Sequence, residues 1–428
     1  MKKIIISLCF CILSQCLFAS EWNVLFNQKD FTGWHGKNPH KHVRLKGDKL
    51  KAYKSQEQDE TKAHWKVQDG VIYNDGHGPY LTTNKEYESI ELELEVKMIE
   101  KSDSGIYLRG SPQVQLWDTR EEAGYWKHGA NKGSGGLWNN KIHTEGRNPL
   151  KHADNPIGSW NKIKVEQLGS RTSVWVNGTL VVDHVIMDNY WSKSGAPLPA
   201  KGPIMLQTHG APVYWKNIRV KELSNEEVMA RLSEKSKQSN WKNITPTASS
   251  MSDWKSTVNK PFELVDGIVR GGEGNYYYAK QQFSNYKMAF QFKLKSGANN
   301  GLLVRYPGTG TCAYVGLCEL QILDNTSEKY TKLDDRQFHG SAYGIKAAAK
   351  GYLNPLGEWN HQIVTVKDRN IIVELNGYEI LNADLDSIDT FMANKKHPGY
   401  QNTKGFVGFA GHRVPYVDFK DIRVKEIK

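Results

Sequence analysis

The sequence is short of the features that mark several protein classes. Its 428 residues hold five cysteines, and three of these (Cys9, Cys11, Cys16) fall within the first 20 positions. The remainder keeps Cys312 and Cys318 alone, which excludes a disulfide-dense scaffold and a cysteine-built metal site. That pair is compatible with one disulfide or with two unpaired thiols. After Phe18 no apolar run is long enough to span a bilayer. No helix-turn-helix, zinc-finger or RNP pattern accompanies the net charge of +11, and the lysines are dispersed. The charge is therefore assigned to a solvated surface, and no nucleic-acid partner is expected. Neither half of the chain shows a substantial helical period.

What is present is a leader, then a repeat. Lys2 and Lys3 precede an apolar run from Ile4 to Phe18, followed by small residues at Ala19 and Ser20. This is the layout of a secretory signal peptide over 1–20, with cleavage near Ala19 or Ser20 and a secreted or periplasmic product. Lipid anchoring at Cys16 is disfavoured, because bulky Gln15 precedes it. Aromatics reach 11% and glycines number 38, a mixture that suits strands and turns.

The repeat shows best in two alternating stretches, Gln113-Val-Gln115-Leu-Trp117-Asp118 and Glu319-Leu-Gln321-Ile-Leu-Asp324. An offset of 206 residues relates Gln113 to Glu319, Gln115 to Gln321 and Asp118 to Asp324. Each stretch reads as a half-buried strand, with Gln113 and Gln115, or Glu319 and Gln321, on one face. Ser104–Arg109 and Asn300–Arg305 repeat at an offset of 196, so about ten residues are inserted before the Glu319 strand. Asp69-Gly70, Asn177-Gly178, Asp266-Gly267 and Asn376-Gly377 each supply a hairpin turn. Ile90, Leu92, Leu94 and Val96 alternate with Glu91, Glu93 and Glu95, which marks a strand with one buried face and one solvated acidic face. Residues 40–62 are charged and poor in apolar side chains, and are expected to form a surface loop. Ser224-Asn-Glu-Glu227 is a capping box that opens a short helix. The expected organisation is a leader (1–20), a first all-β sandwich (21–223), a helical linker (224–240) and a second sandwich (241–428).

The opening Leu25-Phe26-Asn27-Gln-Lys29-Asp30-Phe31-Thr32-Gly33-Trp34 resembles the signature of the bacterial 3-keto-disaccharide hydrolase domain family. Four further segments match its pattern: Ser104–Arg109, the Glu319 strand, Gly357–Asn360 and Gly202–His209. The second copy departs at its start, where Trp241-Lys-Asn-Ile-Thr replaces the Phe-Asn core, and the first copy has Gln113 in place of Glu319. The resemblance implies two tandem concanavalin-like, glucanase-like jelly rolls, each with a sugar cleft on its concave face. It also implies an exported enzyme that cleaves 3-keto-glycosides.

That chemistry needs a base for the C2 proton, a group to hold the enediolate charge and an acid for the leaving oxygen. The expected catalytic residues are Glu319, His412 and Arg305 in the second copy. Gln321 and Asp324 offer oxygens for sugar hydroxyls or for a divalent cation, and both options stand. In the first copy Arg109, Gln113, Gln115, Asp118 and His209 form the matching set, able to bind sugar. Trp117, Tyr125, Trp126 and Trp138 are candidates for stacking on a pyranose. The alternative to an enzyme is a non-catalytic carbohydrate-binding protein with two lectin-like sandwiches. A conventional glycosidase ranks third, because the carboxylates of Glu319 and Asp324 lie roughly 16 Å apart along one strand at a rise of about 3.3 Å per residue.

Overall fold

A computed structural model describes residues 21–238, 240–258, 262–412 and 415–428. The expected signal peptide and Cys16 lie outside the described residues. The chain forms four antiparallel sheets paired into two sandwiches, so the all-β expectation holds.

The alternation of Ile90–Met98 dictates its place. Ile90, Leu92, Leu94, Val96 and Met98 are buried, and the intervening glutamates lie on the solvent side. There Arg219 pairs with Glu93 at 2.6 Å and Lys216 with Glu95 at 3.4 Å. This strand lies inside an eight-stranded sheet, between Trp160–Leu168 and Val213–Glu222. The facing sheet has five strands in the order Trp34–Lys37, Tyr80–Thr83, Met205–Leu206, Asp103–Leu108, Ser111–Trp117. Ile106, Leu108, Val114 and Leu116 point from it into the core. Asp103, Gly105, Tyr107, Gln113 and Gln115 therefore point to its outer face.

The second sandwich repeats this order strand for strand, again with eight and five strands. All four expected hairpin turns are left-handed pairs; Asn177 and Gly178 have φ of 48° and 80°, and Asn376 and Gly377 have 51° and 82°. These values need residues that tolerate positive φ, which is why the turns are spelled Asn-Gly and Asp-Gly.

Two insertions break the symmetry. In the first copy residues 40–62 are helical, contrary to the loop expectation: α1 spans Pro39–Arg44 and α2 spans Gly47–His64. Lysine, glutamate, glutamine and alanine favour helix even without an apolar stripe. Tyr53, Glu57 and Thr61 are the buried contacts of α2. A side chain at Gly36 would lie 1.7 Å from Thr61 Oγ1, so glycine sets this close approach. The connector carries α3 (Asn225–Glu234), opened by the Ser224–Glu227 capping box. In the second copy the insertion before the Glu319 strand forms a single turn, α4 (Cys312–Val315).

The two copies meet through their hairpins. Gly377 O accepts from Ser170 N at 2.9 Å, and a side chain at either Gly169 or Gly377 would lie 2.2 Å from the opposing backbone. Arg171 Nε donates to Glu374 Oε1 at 2.9 Å, and its Nη2 donates to Glu374 Oε2. Glu374 is buried, and although burial opposes its charge the Arg171 guanidinium holds its pKa below the ordinary value. Replacing Arg171 with Met strands that charge and should cost about 3–5 kcal/mol of stability, read by denaturant unfolding. The double replacement Arg171→Met with Glu374→Met should recover most of the loss.

Candidate active site

The outer face of the first five-stranded sheet is polar at its floor. Gln115 Nε2 donates to Asp103 Oδ1 at 2.6 Å, and Gln113 Nε2 donates to Gln115 Oε1. Asp103 Oδ2 meets His209 Nδ1 at 3.1 Å. The hydrogen bond to Asp103 raises the pKa of His209 above its ordinary value. The His209 side chain is 58% exposed, so its second nitrogen is open to a ligand. Gln207 Nε2 donates to Tyr80 Oη at 3.3 Å, and the Tyr80 and Tyr107 rings sit 5.2 Å apart. Burial pushes the pKa of both tyrosines up, so their hydroxyls stay protonated donors. Gln113 Oε1 and Gln207 Oε1 are buried and have no partner among the described residues. Both lie about a Cβ contact away from Gly105, at 2.9 and 3.0 Å from where its side chain would stand. Glycine there leaves room for two carboxamides to converge.

The insertion supplies a second histidine. Glu57 accepts from Asn38 N at 2.5 Å and bonds His42 Nε2 at 2.8 Å, which pins α1 at its first turn. His40 then reaches over the sheet, its Nε2 3.2 Å from Tyr107 Oη. Its ring packs edge-on to Trp191 at 5.1 Å and to Tyr80 at 6.1 Å. Tyr190 and Trp191 wall this side, anchored by Trp191 Nε1 donating to Gly110 O at 2.8 Å.

The corresponding face of the second copy is apolar and sealed. By sheet register Leu303 stands where Tyr107 stands, Ala410 where Gln207 stands, and Asn299 where Asp103 stands. Tyr277, Leu303, Tyr306, Cys312 and Ala410 form one hydrophobic cluster there, with α4 laid across it. Glu319 lies beneath, 3% exposed, above Gly301, where any side chain would overlap its carboxylate at 1.8 Å. Its Oε2 accepts from Cys312 Sγ at 3.3 Å, and its Oε1 has no partner among the described residues. Burial pushes its pKa up to about 7.

The structure does not assemble the expected trio of Glu319, His412 and Arg305. Arg305 is buried and spends its guanidinium on backbone: Nε and Nη2 donate to Ser284 O at 2.9 and 2.7 Å, and Nη1 to Asn402 O at 3.1 Å. Arg109 does the same, with Glu88 O at 3.1 and 2.7 Å and Pro199 O at 3.1 Å. Both arginines end a strand with positive φ, 53° at Arg109 and 48° at Arg305, and that twist turns them out of the cleft face. His412 is exposed at a strand end, and its neighbour by register is Asn299 rather than a carboxylate. Asp324 is a turn anchor: it accepts from Gly297 N at 2.7 Å and from Thr326 Oγ1 at 2.6 Å. Burial alone would raise its pKa, but these bonds lower it. Asp118 plays the same part for Lys101 N and Arg120. Gln321 Nε2 is taken by Asn299 Oδ1 at 2.7 Å. No group of three or more His, Cys, Asp or Glu suited to a metal occurs among the described residues. Trp117 is buried and donates to Gly133 O, and Trp138 has Arg147 over its ring at 4.8 Å, so neither face is free for a sugar. Cys312, in α4, and Cys318, at the start of the Glu319 strand, are free thiols, one in the outer cluster and one in the core.

Gln113, Gln115 and His209 from the expected first-copy set do gather, together with Asp103, Tyr80, Tyr107, Gln207 and His40. Asp103 and Tyr107 were discernible by counting alternate residues back from Arg109. His40 was not, because no strand period reaches into a helical insertion.

Fold and cleft together define a tandem jelly-roll protein with one polar face built around a histidine–carboxylate pair. The chain belongs to the 3-keto-alpha-glucoside-1,2-lyase-like domain family, whose model matches it twice, over residues 21–221 and 239–425. No curated protein matches the sequence. Among solved structures, one from Parabacteroides distasonis, provisionally described as a glycosyl hydrolase, is 21% identical over 44% of this chain and 99% of its own, with a TM-score of 0.39. A carbohydrate-binding module from Bacillus subtilis is 12% identical over 37% of this chain and 91% of its own, with a TM-score of 0.24. A non-specific endo-β-1,3(4)-glucanase is 11% identical over 44% and 91%, with a TM-score of 0.27.

The buried acid of the second copy has a stability signature. Glu319 keeps its proton to about pH 7 when folded but ionises near pH 4.5 when unfolded, so the unfolded chain binds fewer protons between these values. Stability from this group is complete below about pH 4.5 and is lost as pH rises through 7, a fall of about 3 kcal/mol. Glu319→Gln cannot ionise. Its stability relative to the parent should therefore climb by about that amount from pH 4.5 to 7 in chemical denaturation.

Proposed function

We propose that this protein cleaves 3-keto-glycosides outside the cytoplasm, and that the first copy performs the chemistry. The observation that carries this reading is the His209–Asp103 pair on an accessible polar face, in a chain of the matching family. The export part rests on the leader-like stretch from Lys2 to Ser20.

A ketone at C3 acidifies the C2 hydrogen. His209, oriented through Nδ1 by Asp103, takes that proton on its free nitrogen. The C2–H electron pair moves into a C2–C3 enediolate, and its charge on the C3 oxygen is met by the tyrosine hydroxyls of Tyr107 and Tyr80. The enediolate then expels the C1 oxygen, which leaves with the proton now carried by His209, while His40, whose pKa is lowered by burial and by nearby Arg44, stays neutral beside it. Water adds across the resulting C1–C2 double bond and restores the 3-keto sugar. The second copy contributes no chemistry, because Leu303, Ala410 and Asn299 replace the donors and the carboxylate.

Incubation of the purified protein with a 3-keto-disaccharide and with its unoxidised parent tests this. Sugar release should occur from the keto compound alone. His209→Ala should lower kcat/KM by roughly 100-fold or more, the usual worth of a general base. Glu319→Gln should retain activity. Binding of both sugars without turnover would instead favour a carbohydrate-binding role.

The pH profile gives a separate check. The base is active when deprotonated, so kcat/KM should climb through a pKa above the ordinary histidine value of about 6.5. Asp103→Asn removes the carboxylate charge that favours protonated His209 and should move that limb to lower pH while reducing the plateau.

A further inference from the structure

The seam between the copies holds a cavity of 610 Å³, within the range of about 300–1,000 Å³ usual for small-molecule sites. One wall is Asn139, Asp188, Tyr190 and Ser192 of the first copy, and the other is Glu379 and Asn382 of the second. The walls are fixed relative to each other by the Arg171–Glu374 pair and the abutting hairpins at Gly169 and Gly377. The cavity is therefore preformed rather than dependent on domain closure.

We infer that this cavity is a second saccharide subsite, which takes the part of the substrate beyond the oxidised ring. This rests on the reading of the first-copy face as a 3-keto-glycoside cleft. Three observations carry it. Tyr190 belongs to both places: it lines the cavity, and its ring lies 4.9 Å from Trp191 and 6.4 Å from His40 in the cleft. That ring is 49% exposed, which leaves it free to stack on a pyranose. The lining offers carboxamides, hydroxyls and three carboxylates, Glu145, Asp188 and Glu379, which outnumber its one lysine, Lys141, while Arg171 on its wall is already paired with Glu374. Such a set suits the hydroxyls of a neutral sugar and disfavours an anionic ligand.

The geometry also accounts for the tandem arrangement. The second copy, sealed on its own outer face, supplies Glu379 and Asn382 to a site that the first copy cannot complete. These two are linked, with Asn382 Nδ2 donating to Glu379 Oε1 at 3.0 Å.

The test uses the full chain and the variant Asn382→Trp, which fills the cavity from an exposed strand position. The ratio of kcat/KM for a 3-keto-trisaccharide over methyl 3-keto-glucoside should fall at least fivefold in the variant. Calorimetric binding of plain maltotriose should weaken at least fivefold as well, with the thermal midpoint unchanged. An unchanged ratio with unchanged maltotriose binding would overturn the subsite, as would failure of the parent protein to bind maltotriose. Should no keto compound be turned over, the cleft reading fails, and maltotriose binding alone still decides the cavity.

Discussion

A sheet that presents polar side chains on its outer face must leave that face to a ligand and solvent or cover it, because a buried polar group without a partner is costly. The rest of this molecule follows from how each copy meets that constraint. The first copy roofs part of its five-stranded sheet with α1 and α2 and sets histidine, tyrosine and glutamine there. The second copy lays α4 across the same surface and fills it with Leu303, Tyr306, Cys312 and Ala410. The same scaffold thus yields one polar cleft and one closed hydrophobic lid.

Glycine and arginine hold this arrangement in both copies. Gly105 and Gly301 open the space into which the residue at 113 or 319 leans. Arg109 and Arg305 fix the strand end by three backbone hydrogen bonds of nearly equal length in the two copies. A charged residue that recurs at equivalent places in a repeat is thus not thereby catalytic. Here the recurrence of the arginines reports a shared structural requirement, and the two outer faces differ at Tyr107 against Leu303, Gln207 against Ala410 and Asp103 against Asn299.

Much of the fold was legible in the chain. Strand alternation, Asn-Gly and Asp-Gly turns and the two-fold recurrence express local geometry, so they survive in a linear reading. The site was legible in part. Gln113 and Gln115 were visible from the alternation and His209 from the family resemblance, and Asp103 follows from alternation in the neighbouring strand, but His40 comes from an insertion that no strand period reaches. Glu319 reads in the sequence as a carboxylate on a polar strand. What lies above it is decided by a segment that precedes it in sequence and folds back over it.

The sequence by itself therefore determined the two all-β copies, their strand faces and their turns, because each depends on residues within a few positions of one another. Only the tertiary structure decided which copy carries an accessible polar face, what the insertions cover and where the copies join. Those outcomes depend on contacts between residues far apart in the chain, such as His40 with Tyr107 and Arg171 with Glu374, and no local pattern encodes them.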